Sequence, residues 1–202
     1  MQQLKRKQWT RLLPLLGLAF FVMIGALCPT DTASTLSIVV KHPVEFSVNS
    51  SNDSFDQMLG FDLAEALQDI IASNSRLSTA NIENVGVSGV TFEVLNDNSA
   101  EGTTVSGEMQ IGADAASLTT LLSMSNFDLD ANEGVEQTPV PAEAGMQVLV
   151  NIINSLFDAQ GNLKQSNVPV AVSLQGLAQP APPPDLDFDV KVWLHLSVSA
   201  QQ

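Results

Sequence analysis

The stretch Leu186-Asp187-Phe188-Asp189-Val190-Lys191-Val192-Trp193-Leu194-His195-Leu196-Ser197-Val198-Ser199 alternates apolar and polar residues without a break. Successive side chains of a strand point to opposite faces, so this period of two predicts a strand with one buried and one solvated face. Leu186, Phe188, Val190, Val192, Leu194, Leu196 and Val198 make the buried face, while the acids, Lys191, Trp193, His195 and the serines make the other. One solvated face points to an antiparallel sheet, because parallel sheets are covered on both sides.

The same pattern recurs upstream. Leu36, Ile38, Val40, His42, Val44, Phe46 and Val48 share one parity, and Pro43, which cannot donate to a ladder, implies an edge strand or a break. Val90, Phe92 and Val94, then Val105, Met109 and Ile111, read as two strands whose polar link, residues 96–102, predicts a hairpin. Val168, Val170, Val172 and Leu174 mark another strand, and the proline-rich residues 179–184 a stiff polyproline link.

Helical spacing appears in two places. Phe55, Met58, Leu59, Leu63, Ala66, Leu67 and Ile70 recur every three or four residues, predicting a short first turn and a main helix over 62–73. Ser54 with Gln57, and Asp62 with Glu65, have capping-box spacing. Met146, Leu149, Val150, Ile152, Ile153, Leu156 and Phe157 predict a second helix over 142–157, and weak periodicity allows a short one over 113–124. The order is therefore β-α-β-β-(α)-α-β-β. It describes an α+β domain of mainly antiparallel β-structure, sandwich-like or a strongly twisted sheet, with two to three helices. A single helix-covered sheet is the alternative. The run Val87-Ser88-Gly89-Val90-Thr91-Phe92-Glu93-Val94, then Asn96-Asp97-Asn98, resembles the strand and Asn-Pro-Asn turn of late-embryogenesis-abundant type-2 (water-stress) sandwiches, with Asp97 in place of the proline. No function is carried over from that resemblance.

The N-terminus sets the compartment. Lys5, Arg6, Lys7 and Arg11 precede an uncharged apolar run, residues 12–27, that ends at Cys28, the only cysteine. That is the layout of an export signal. It divides the chain into an export signal (1–28), a tether (29–35) and one β-rich domain (36–202). Three endings of the signal stay open: a lipoprotein signal with Cys28 lipidated, ordinary cleavage, or an uncleaved anchor. Gly25, Ala26 and Leu27 reverse the large-then-small order of a lipobox, whereas the position of the lone cysteine favours one. Each ending puts the domain outside the cytoplasm, in the cell envelope, whether periplasmic or at the cell surface.

Charge narrows the partners. The chain's net charge is −14, but after the signal only Lys41, Arg76, Lys164 and Lys191 oppose all 22 acids, a balance of −18. Such a field repels nucleic acid and anionic headgroups. One thiol excludes an internal disulfide, so apolar burial must hold the domain. No tyrosine and a single tryptophan beyond the signal leave little for a sugar-stacking platform.

No catalytic constellation stands out. Gly86-Val87-Ser88-Gly89 stops short of a nucleophile elbow, and the two histidines, His42 and His195, fall on opposite parities. The chain is therefore read as non-enzymatic: a lipid-anchored envelope module with a structural or binding role, its membrane contact made by the N-terminal lipid or anchor. Trp193 and His195, on the polar parity of the last strand, are the candidate surface contact for a protein partner. An alternative is a carrier of a lipid or other amphiphile in an apolar groove under the helix 142–157. A further alternative is a calcium-dependent binding or adhesion module using Asp128, Asp130 and Asn132, whose alternate oxygens before Gly134 begin like an oxygen-ligand loop. The Asp185, Asp187 and Asp189 ladder is too widely spaced for one ion and reads as a charged face that discourages edge pairing.

Lipidation at Cys28 predicts that Cys28→Ser abolishes lipid labelling and leaves the chain unprocessed or soluble. The intact mass of the mature native protein decides it: an unmodified N-terminus downstream of Cys28 overturns the anchor.

Overall fold

The computed structural model describes residues 35–179 and 185–201. The expected export signal with Cys28, the expected tether up to residue 34 and the proline-rich residues 180–184 lie outside the described residues.

The predicted last strand is β7 (Leu186–Gln201), and its neighbours organise half of the fold. β7 lies in the middle of a three-stranded antiparallel sheet, between β1 (Thr35–Ser50) and β3 (Asn81–Leu95). Its even-numbered residues from Leu186 to Ala200 are all buried. They align with inward residues on both sides: Val44, Val192 and Phe92 make one row, and Phe46, Val190 and Val94 the next. Each such side chain removed from water contributes about 2 kcal/mol. β1 pairs with β7 alone, which makes it an edge strand and accommodates Pro43.

A second antiparallel sheet faces the first, with the order β2-β6-β4-β5: β2 (Ser54–Asp62), β6 (Pro169–Gln179), β4 (Thr104–Gly112) and β5 (Thr119–Asp128). Phe55 of β2 meets Phe188 of β7 edge-on across the core, with ring centroids 5.8 Å apart. Gly176 makes room for it, since a Cβ there would lie 2.6 Å from the Phe55 ring, while the opposed Gly107 lets the β4 and β6 backbones approach, a Cβ there falling 2.3 Å from the Gln175 carbonyl oxygen. The result is mostly antiparallel β in two sheets with helices at the margin, a sandwich-like α+β arrangement.

Three helices occur among the described residues: α1 (Leu63–Ser73), α2 (Leu129–Asn132) and α3 (Glu143–Asn154). None of them is long and apolar enough to cross a membrane. Asp62 caps α1, accepting from the N–H of Ala64 (2.9 Å) and Glu65 (3.4 Å). The same carboxylate accepts from the N–H of Val168 and Asn167, so the start of α1 is tied to the start of β6. Burial opposes ionisation there, but these four donors outweigh it and hold the carboxyl below its ordinary range. α3 lies directly on β5: a Cβ on Gly145 would fall 2.3 Å from the Thr120 carbonyl oxygen. Leu149, Ile152 and Ile153 fill its buried side.

The order of elements differs from the expectation, β-β-α-β-β-β-α-α-β-β in place of β-α-β-β-(α)-α-β-β. Residues 54–61 are strand β2, not a first helical turn. Only Phe55 is buried there, while Met58 and Leu59 are 51% and 38% exposed, so the apolar spacing marked no helix face. The stretch 113–124, read as a short helix, supplies edge strand β5 instead. Adjacent Leu121 and Leu122 are both buried where the ladder with β4 shifts register: Leu122 pairs with Met109 and Thr120 with Gln110, so Leu121 is an extra residue and the alternation is lost. The expected hairpin between β3 and β4 is absent, because the two strands belong to different sheets and residues 96–103 cross between them. The aspartate ladder does not guard an edge either, since β7 is central. Asp189 accepts from Ser47 Oγ and Asn96 Nδ2, and Asp187 from Asn98 Nδ2.

The parity of β7 is testable. Val190→Asp buries an unpaired carboxylate and should cost more than about 3 kcal/mol, abolishing the folded signal in circular dichroism. Asp189→Ala loses two exposed hydrogen bonds and should cost about 1 kcal/mol in a denaturant titration. Equal costs would reverse the assignment of faces.

Candidate functional site

The outer face of β7 carries the residues that the sequence offers for contact. Strand register sets them in rows: Lys41, His195 and Gly89; then Pro43, Trp193 and Thr91; then Glu45, Lys191 and Glu93. Trp193 is half-buried and flanked by two ammonium groups, Lys191 Nζ at 4.6 Å and Lys41 Nζ at 5.7 Å from a ring centroid. Two of the four basic residues after residue 28 thus converge on Trp193. Each is also paired with an acid: Lys191 Nζ is 2.6 Å from Glu45 Oε1, and Lys41 Nζ is 2.9 Å from Glu136 Oε1.

Glu136 brings a second element to the face. It lies on a strap, residues 133–141, that runs along the free edge of β3. Phe92 and Gln137 exchange both backbone hydrogen bonds (3.1 and 2.7 Å), and the Gly134 N–H donates to the Val94 carbonyl (2.8 Å). After Pro141 the strap reaches the other sheet, where the Ala142 N–H donates to the Leu121 carbonyl and α3 begins.

Glu136, Thr91 and His195 form a chain of hydrogen bonds. The Thr91 hydroxyl donates to Glu136 Oε1 at 2.6 Å, and His195 Nε2 lies 2.9 Å from the same hydroxyl oxygen. A hydroxyl has one proton, and with that proton on Glu136, Nε2 must carry its own hydrogen and donate to Thr91. A nucleophilic hydroxyl needs the reverse, donation to an imidazole that takes up its proton. The network therefore fixes ring and carboxylate in place. The Thr91 hydroxyl and then Lys41 hold Glu136 below the ordinary carboxylate range. Burial first and Lys41 second lower the pKa of His195, with Glu136 opposing them.

Beside this network opens a cleft of about 630 Å³, lined by Ser88, Gly89, Val90, Thr91, Glu136, Thr138, Pro139, Pro141 and His195. Two features of β3 create it. The register shifts between Val87 and Gly89, so Ser88 is an extra residue bulged from the ladder. Gly89, opposite His195, has no side chain to cover the imidazole, and a Cβ there would meet nothing within 4 Å.

The other predicted sites lie elsewhere. His42 is on the inner parity, its ring 4.9 Å from that of Phe61, and burial lowers its pKa. Asp128, Asp130 and Asn132 serve α2 and its neighbours. Asp128 Oδ1 accepts from the Ala131 N–H (2.9 Å), Asp130 Oδ2 from the Gly102 N–H (2.7 Å), and Asn132 Nδ2 donates to the Asp128 carbonyl (2.7 Å). Asn132 Oδ1 accepts from Gln137 Nε2 (3.2 Å), so the three side chains' oxygens engage different partners, and among the described residues no group of three or more His, Cys, Asp or Glu is placed to hold a metal. At α3, the helix under which an amphiphile groove was the alternative, Leu149, Ile152 and Ile153 are buried and Gly145 lies against the backbone of Thr120 and Leu121. Sequence reasoning found Trp193 and His195 but missed Thr91, Lys41, Glu136 and the bulge. The glycines of Gly86-Val87-Ser88-Gly89, breaking the alternation of a strand, were the available signal.

No family model matches the chain, and no curated protein matches it. Among solved structures it is similar to a chain of Desmodium yellow mottle tymovirus, at 13% identity and a TM-score of 0.34, covering 87% of this chain and 94% of that one. It is also similar to the infectious bursal disease virus VP2 subviral particle (10% identity, TM-score 0.26, covering 87% of this chain and 41% of that one). The Gx strain of that virus gives 8% identity and a TM-score of 0.27, covering 85% of this chain and 36% of that one. None of the three identifies a shared function.

The charges around His195 give opposite signs on mutation. Glu136→Gln removes the group that raises its pKa and should lower it further, whereas Lys41→Met should raise it. Titration of the His195 ring protons by NMR checks both directions, and a shift of the same sign in both variants would contradict this network.

Proposed function

We propose that this chain is an exported module of the cell envelope, held to a membrane through a lipid on Cys28, that works by binding a protein partner through the outer face of the β1-β7-β3 sheet. Catalysis is not part of this reading.

The observation that carries it is the setting of Trp193. Tryptophan is a frequent energetic anchor of protein interfaces, and here the domain's one tryptophan sits half-exposed on a face beside an open cleft. The surrounding side chains are held by cross-strand ion pairs and by the Glu136-Thr91-His195 chain, so little conformational freedom remains to be lost on binding. The export signal motivates the envelope setting. The tether motivates a domain that meets its partner away from the lipid surface, as its −17 balance over residues 36–202 requires.

Site-specific photo-crosslinking in the native cells tests the surface. A photoreactive residue at Thr138, on the cleft rim, should capture a protein, and one at Leu177, exposed on the opposite sheet, should not. Trp193→Ala should weaken capture by about thirtyfold, the loss of an anchor worth about 2 kcal/mol. Capture at Leu177 that equals capture at Thr138 would reject this face as the binding surface.

A further inference from the structure

The cleft exists because a ladder stops. The strap pairs with β3 at Val94 and Phe92, and continuing it antiparallel past the Phe92–Gln137 pair would set Val90 against Pro139 and the next position against Pro141. Neither proline has an N–H to donate, so the strap separates from β3 there. Backbone groups alternate sides along a strand. The N–H and C=O of Phe92 face the strap, and those of Val90, two residues earlier, therefore face the cleft.

We infer that this cleft takes an extended, basic peptide segment of the partner protein, added as a strand to the free edge of β3 at residues 88–90. The inference rests on the binding role proposed above and names the chemistry of the partner. A strand edge with unpaired N–H and C=O groups is a template for another strand, and main-chain hydrogen bonds supply affinity without demanding one sequence. Charge selects the sign. The domain carries −17, so its field attracts cations, and the exposed Glu136 carboxylate at the lip retains lone pairs beyond those used by Lys41 and Thr91. Gly89 leaves an open position beside His195 for an outward side chain of the added strand.

The test uses the purified full chain in detergent micelles and a capped eight-residue peptide alternating lysine and valine. Amide exchange read by NMR should slow at Val90 when this peptide binds. The same peptide N-methylated at every residue keeps the side chains but loses all backbone donors, and should bind at least about tenfold more weakly. A glutamate–valine counterpart should not bind. Gly89→Leu, whose Cβ would meet nothing within 4 Å, extends a side chain into the open position and should weaken the lysine peptide about tenfold, by steric exclusion from a preformed groove. Equal binding by the N-methylated peptide, unchanged exchange at Val90, or unaltered affinity of Gly89→Leu would each overturn strand addition here. Failure of the binding role reads differently. Crosslinking from Thr138 that persists while the peptides fail leaves the surface standing without strand addition. Peptide binding with no crosslink from Thr138 removes the proposed surface and keeps the edge chemistry.

Discussion

Nearly every inward side chain of the three-stranded sheet is positioned by the strict alternation of β7. This strand is paired on both sides, so its register sets the register of β1 and β3 and decides which of their residues enter the core. A slip of one residue would turn all of its inward side chains outward and place Asp187, Asp189 and Lys191 in the core. Such a slip is prohibitive, and that is why three strands from distant parts of the chain keep one alignment. The outer face inherits the same precision. Trp193 and His195 stand where they do because Val192, Leu194 and Leu196 must be inside.

The edges of the two sheets show how proline and glycine shape what alternation leaves free. Pro43 sits in β1, an edge strand, where a missing donor costs little. Pro139 and Pro141 end the pairing between the strap and β3, and Ser88 and Gly89 loosen the facing stretch of strand. Inside the core, glycine has the opposite use. Gly107 and Gly176 let two backbones and the Phe55 ring share one place, and Gly145 brings α3 against β5.

Electrostatics at the outer face follow from scarcity. A domain with four basic residues and 21 acids leaves most of its carboxylates to be satisfied by hydroxyls, amides and backbone N–H groups. Asp62, Glu108, Asp158 and Asp189 are all held below their ordinary range mainly by such neutral donors. Lys41 and Lys191 instead converge on Trp193, with Glu136 and Glu45 as counter-ions. The face is therefore locally balanced within a strongly negative surround.

Reading the sequence alone determined the parity of β1 and β7, the capped start of α1 at Asp62, the existence of α3, which ends at Asn154 and not at Phe157, and the β-rich class. Each rests on a local period or cap that needs no distant partner to be legible. It also placed Trp193 and His195 on the polar face. What it could not determine were the properties that pairing creates. β2 and β5 lie at sheet edges with few inward residues, so Met58 and Leu59 mimicked a helix stripe and Leu121 with Leu122 hid a strand. The loop after β3 crosses between sheets instead of turning back, a choice made by which edge remains free, not by the loop's own residues. Thr91, Lys41 and Glu136 lie far apart in the chain and meet only because β1, β7, β3 and the strap are laid side by side. The site is thus a product of register: local chemistry chose which side of each strand faces water, and tertiary pairing chose which of those side chains became neighbours.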